Sequence, residues 1–126
     1  MKIDAGIPTN DPRESGKATK LLEDLGFDGA FTAETSHDPF LPLVTAAIET
    51  EKIELVTAIA VAFARNAMTL ENLVYDLQKL SNVRFILWLG SLIKPHITKR
   101  FSMPWASPAA RMKELVEAIR AIWDCW

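Results

Sequence analysis

The sequence has a single cysteine, Cys125, which excludes an internal disulfide framework and fits a reducing cytoplasm. It has five glycines, and none stands in G-x-G-x-x-G, P-loop or G-x-S-x-G order, so the glycine-built phosphate and nucleophile motifs are missing. Its two histidines do not fall at metal-ligand spacing with the carboxylates, and one cysteine adds nothing to them. No apolar run approaches the ~20 residues that span a bilayer. The opening MKIDAGIPTNDPRE has no signal core. Charge nearly cancels: 14 Lys and Arg against 16 Asp and Glu leave -2, which gives neither nucleic acid nor an anionic membrane a reason to bind.

What is present is the 126-residue, 49% hydrophobic composition of one ordinary globular domain. Four strand-then-helix units run through it, the last helix reaching Trp126. Lys2 to Ile7 alternates as a short strand. Asp11-Pro12 caps and starts a helix whose apolar positions are Ala18, Leu21, Leu22 and Leu25, and Gly26 ends it. A second strand covers Gly29 to Ala33, with a helix around Leu43 to Glu51. The third strand, Ile53 to Phe63, is the longest apolar run and suits a parallel strand covered on both faces. Thr69 caps a third helix with Glu71 and Asn72 in its first turn and a stripe of Leu70, Leu73, Val74, Leu77 and Leu80. Arg84 to Gly90 is the fourth strand. A loop from Ser91 to Ser107 leads to a helix with the stripe Met112, Leu115, Val116, Ile119, Ile122 and Trp123. The order calls for a parallel sheet with right-handed crossovers. Four strands leave that sheet open; eight close a (β/α)₈ barrel.

In parallel α/β folds chemistry gathers at the carboxyl ends of strands. Those ends carry Thr9 and Asn10, then Glu34, His37 and Asp38, then Phe63, Arg65 and Asn66, then Ser91, Lys94 and His96. This polar rim can bind a polar ring system or move a proton. Blander roles stand beside it: Asp38 as a helix cap after which Pro39 follows, Arg65 as a structural partner of a carboxylate, His96 as a solvated loop residue.

The strings Gly26-Phe-Asp-Gly29, Ala33-Glu-Thr-Ser-His-Asp-Pro-Phe-Leu-Pro42, Thr57-Ala-Ile-Ala-Val-Ala-Phe-Ala-Arg65, Arg84-Phe-Ile-Leu87, Lys94-Pro-His96 and Phe101-Ser-Met-Pro-Trp105 resemble the luciferase-like monooxygenase superfamily, and within it the coenzyme F420-dependent oxidoreductases. The resemblance implies a (β/α)₈ barrel, commonly dimeric, that uses reduced FMN or F420 for hydride transfer or oxygenation. By position it implies catalytic roles for Glu34, His37 and Asp38 and cofactor contacts from Ala60, Val61, Ala62, Arg65 and Ser91. It also places a non-prolyl cis peptide in the Ala60-Val61-Ala62 stretch.

This sequence departs from the family at three places. Asn82-Val83 replaces a glycine pair, Trp88 stands where glycine is usual, and Leu92 stands where a small or polar residue is usual. The expected fold is therefore α/β, a single domain over 1–126 forming half of a TIM barrel, completed by homodimerisation. The expected function is the N-terminal half of an F420- or FMN-dependent oxidoreductase. The alternative is a non-catalytic, self-associating half barrel with no cofactor, in which the apolar replacements serve assembly.

Overall fold

A computed structural model describes residues 1–126. In chain order its elements are β1 (Asp4–Gly6), α1 (Pro12–Asp24), β2 (Gly29–Thr32), α2 (Leu41–Glu49), β3 (Glu54–Thr57), β4 (Ala60–Val61), a 3₁₀ turn (Ala62–Ala64), α3 (Ala67–Leu80), β5 (Phe85–Ile86), β6 (Leu89–Gly90), a π-helical turn (His96–Arg100) and α4 (Pro108–Trp123). The chain divides into two compact units, one of Met1–Ala60 with Val74–Trp88 and one of Val61–Leu73 with Leu89–Trp126.

The first unit holds a four-stranded sheet in the order β1-β2-β3-β5, every pair parallel. One register row is Ala5, Ala30, Leu55 and Phe85, and the next is Gly6, Phe31, Val56 and Ile86. The first row faces the helices: Ala30, Leu55 and Phe85 are buried, and the Phe85 ring meets that of Phe40 at 6.3 Å. Alternation along the strand puts Phe85 on this face and Ile86 on the other.

Helix α1 starts as its sequence dictates, with the Asp11 carboxylate accepting from the Arg13 amide at 2.9 Å and Pro12 in the first turn. Its buried face is another matter. Leu21 and Leu25, expected to face the core, are 64% and 74% exposed. Ser15, Gly16 and Thr19 are buried instead. They lie against α2, where the Ser15 and Thr45 hydroxyls hydrogen-bond at 2.9 Å. A Cβ on Gly16 would stand 2.9 Å from the Thr45 carbonyl oxygen, so this crossing requires glycine.

Neither long strand is continuous. Ile53 to Phe63 breaks after Thr57 into β4 and the 3₁₀ turn, and Arg84 to Gly90 breaks into β5 and β6. The cis peptide lies at Ala58–Ile59, just before the Ala60–Ala62 stretch where the family resemblance put it. Helix α3 begins before Thr69. The Asn66 side-chain oxygen accepts from the Thr69 amide at 2.8 Å, so Asn66 does the capping expected of Thr69. The Ser91–Ser107 loop is not structureless, since it contains the π-helical turn.

The second unit centres on Val61, Ala62, Phe63, Leu70, Ile97 and Ile119, all buried. The Phe63 ring packs edge-on against Trp105 at 5.8 Å, and the Arg111 guanidinium lies over the ring at 4.5 Å from its centroid. The stripe of α4 is only half covered: Ile119 is buried, but Trp123 is 45% exposed.

The departures from the family acquire a backbone meaning. Asn82 and Val83 have φ of 54° and 65°, and Leu92 has 54°. These are left-handed positions that glycine occupies freely and a β-branched residue does not. Val83 is also 79% exposed, so its side chain gains nothing in return. Val83→Gly is expected to stabilise the chain by about 1 kcal/mol, the relief of left-handed strain exceeding the added chain entropy; urea unfolding checks this, and an unchanged or lower midpoint refutes it.

Glu23 offers the second test. Its Oε1 accepts the amides of Glu51, Lys52 and Ile53 at 3.0, 2.6 and 3.0 Å, and its Oε2 meets Lys20 at 3.0 Å. Burial opposes ionisation here, but the donated hydrogen bonds win and hold the carboxyl at about 2, below its ordinary 4.5. A carboxyl depressed in this way stabilises fully above 4.5 and loses its contribution as pH falls towards 2, a loss of order 3 kcal/mol. Glu23→Gln should therefore lower stability at neutral pH and flatten the acid limb of the stability–pH curve, both read by urea titration.

Candidate functional site

The strand-end residues of the first unit are held by local bonds. Asp38 accepts the amides of Phe40 and Leu41 through Oδ1 at 2.8 and 3.3 Å, which fixes the entry to α2. Glu34 is half-buried and its amide donates to the Ile59 carbonyl at 3.3 Å. His37 is exposed on the same loop. Thr9 accepts the Asp11 amide at 3.1 Å, ahead of α1. So the three residues expected to be catalytic share one loop, and one of them is already engaged as a cap.

The second unit contains a cavity of about 480 Å³. Phe63, Arg65, Asn66, Met103, Arg111 and Glu114 are among its walls. That volume lies in the range of small-molecule sites, which run from roughly 300 to 1,000 Å³. Two guanidiniums converge on it, and both are tethered. Arg111 donates to the Pro104 carbonyl at 2.6 Å while it covers the Phe63 ring, and Arg65 donates to the Val61 carbonyl at 3.2 Å. A tethered arginine loses little freedom when it meets an anion, and its planar fork suits phosphate or carboxylate.

Of the expected cofactor contacts, Arg65 and Ala62 border this cavity. Ala60, Val61 and Ala62 are each 0% exposed, so these side chains pack into the protein interior. Ser91 is outside the cavity lining, its hydroxyl donating to the Leu92 carbonyl at 3.2 Å. Arg111 and Met103 escaped the sequence reading. The polar Arg111 next to Met112 at the head of the α4 stripe was the one available signal.

Glu71 also escaped it. Expected in the first turn of the third helix with no role assigned, it is 0% exposed, and neither carboxylate oxygen has a hydrogen-bond partner. Burial pushes its carboxyl above the ordinary value; the nearby Trp123 indole pulls the other way without closing a hydrogen bond. No charged side chain contributes to that balance.

Residues 2–125 match the luciferase-like monooxygenase family. The chain belongs to that family. An uncharacterized protein of Mycobacterium tuberculosis is 56% identical over all of this chain, which spans 37% of that relative's length. Among solved structures, monooxygenase RslO1 from Streptomyces bottropensis is similar with a TM-score of 0.84 and 26% identity, over 98% of this chain and 43% of that one. The oxygenating constituent of 3,6-diketocamphane monooxygenase from Pseudomonas putida, in complex with FMN, shares the fold at a TM-score of 0.82 and 14% identity, over 98% and 40%. The coenzyme F420 dependent tetrahydromethanopterin reductase of Methanopyrus kandleri shares it at 0.78 and 23%, over 94% and 38%. The chain is thus an α/β segment corresponding to the N-terminal part of longer luciferase-like proteins, and its parallel sheet is that of a half barrel.

Glu71 gives this luciferase-like segment a measurable pH dependence. A carboxyl raised on folding stabilises below its unfolded value of 4.5 and costs stability as pH rises through the folded value. Glu71→Gln should therefore become more stable relative to the parent as pH rises above 4.5, in urea titrations at each pH. Equal slopes for the two proteins would show that the carboxyl is not held protonated.

Proposed function

We propose that this chain is the N-terminal segment of a flavin- or deazaflavin-dependent oxidoreductase and that the cavity of its second unit receives part of the cofactor. The observation that carries this reading is the pairing of an aromatic wall, Phe63, with two tethered guanidiniums, Arg65 and Arg111, in one cavity. FMN and F420 are both aromatic ring systems joined to phosphate, and the donor set fits that combination. Arg111 and Arg65 would hold the anionic group, and Phe63 and Met103 would supply apolar contact. When bound, either cofactor supplies the hydride or the oxygen-activating chemistry that side chains lack. Glu34 and His37, on the loop after β2, are the proposed groups for proton handling at the substrate.

A second reading is a catalytically silent segment. Asp38 favours it, because the carboxylate expected to be catalytic is committed to capping α2.

The phosphate is the feature to test. FMN and riboflavin share the ring system and differ by that group. In equilibrium titrations followed by flavin fluorescence, FMN should bind at least about tenfold more tightly than riboflavin. Arg111→Gln should remove most of that difference while leaving riboflavin unchanged. F420 titrated in parallel assigns the preferred ring. No saturable binding of FMN or F420 up to about 1 mM would leave the silent reading standing.

A further inference from the structure

Glu71 has no part in the proposed cofactor site, and its surroundings are unusual for a carboxylate. It is fully buried, and both of its oxygens lie without a hydrogen-bond partner. Buried acids are ordinarily paired, because an orphaned charge loses its hydration and gains nothing in exchange. The burial is made within one compact unit. Leu70 of α3 and Ile119 of α4 are buried in that unit, and the nearby indole is that of Trp123, the last residue of α4. No charged group answers the carboxyl. The charged residues of α4 beside Trp123 are Arg120 and Asp124, both exposed, and neither acts on it. On α3 the titratable residue one turn away is Tyr75, whose side chain is also exposed.

Helix α4 connects this carboxyl to the cavity. Arg111, Glu114, Leu115 and Ala118 are cavity walls, and Trp123 lies further along the same helix. The 3₁₀ turn and the start of α3 supply the facing walls, from Ala62 to Thr69. The two helices are held unequally. Asn66 caps α3, whose Leu70, Val74 and Leu77 are buried. Helix α4 follows Ser107, which has a left-handed φ of 39° and makes no side-chain cap, so its first amides lack that support. The less firmly started helix is the one that carries Arg111.

We propose that Glu71 is a proton-controlled latch: neutral, it lets α4 dock beside α3 and complete the cavity, and ionised, it releases α4 and takes Arg111 out of the cavity wall. The cause is hydration. A carboxylate at this place recovers water only when the helix beside it moves. The neutral acid instead keeps an acceptor oxygen for the Trp123 indole, so docking favours that form. Burial strengthens the carboxyl's hold on its proton, so the latch is closed below 4.5 and opens as pH rises through the folded value. The effect on ligands rests on reading the cavity as an anion site; the movement of α4 does not.

Amide hydrogen exchange at several pH values above 4.5, corrected for the intrinsic effect of pH on exchange, reads the latch directly. Protection across α4 should fall by at least about threefold as pH rises, while that of α1 and α2 in the other unit stays level. In Glu71→Gln all three helices should stay level. If that variant does not fold, Glu71→Leu, apolar and of similar size, takes its place with the same expectation. FMN titrated over the same range reads the coupling. Its affinity for the parent, divided by that for the variant, should fall by a similar factor, and the ionisation of its own phosphate cancels in the ratio. Failure of FMN to bind at any pH overturns the cofactor reading and leaves exchange to decide the latch. Protection of α4 that ignores pH, or that falls equally in parent and variant or equally in both units, overturns the latch. A constant FMN ratio while α4 opens overturns the coupling.

Discussion

The first unit depends on how the stretch from Thr50 to Ile53 is held. Two opposite charges grip it from two sides. The Glu23 carboxylate, from the end of α1, collects three consecutive amides at Glu51, Lys52 and Ile53. The Arg84 guanidinium, at the start of β5, donates to the carbonyls of Ala47, Thr50, Ile53 and Ser81 and to the Thr50 hydroxyl. Together they satisfy the backbone at the end of α2 and the beginning of β3, where a helix end and a strand start would otherwise bury unpaired groups. Burial works against the charge on Arg84, and the negative potential of Glu23 and Glu51 works for it. An arginine keeps its proton in such a place, where a lysine would yield it more readily. One clamp therefore ties α1, α2, β3 and β5 at the amino ends of the strands. In barrels of this kind that end serves stability, which leaves the carboxyl ends free for chemistry.

The same region shows the cost of the residues at 82 and 83. The turn that delivers Arg84 to its five partners passes through two left-handed residues, so its geometry is set by the clamp and not by local preference. Asparagine tolerates that conformation and valine does not. The apolar replacements at 83, 88 and 92 were read from sequence as possible adaptations to an open edge. Val83 and Leu92 sit at strained backbone positions, and Val83 covers nothing within the chain. Trp88 differs: its backbone is pinned to Thr57 while its ring is 54% exposed.

What the sequence revealed was whatever local chemistry decides. The order of elements, the Asp11-Pro12 start of α1 and the facing of Phe85 follow from caps and alternation. What it concealed was decided by tertiary neighbours. The α1 leucines have helical spacing, yet the close approach of α2 selects the smaller Ser15, Gly16 and Thr19 face, because only small groups fit there. Apolar periodicity cannot report a crossing made by small residues. Glu71 read only as a first-turn acid, a residue type that is seldom fully buried, and no local feature marks it as buried. In the candidate site Arg65 was legible as a strand-end residue, but Arg111 comes from a distant helix, and only the fold brings it to Phe63.

The candidate cavity and the parallel sheet are drawn from different parts of the chain. The cavity walls come from two stretches, 62–69 and 103–118, that belong to one compact unit. The four-stranded parallel sheet belongs to the other. The proposed site for an aromatic phosphate is therefore built within that one unit, and its walls rest on that unit's own packing.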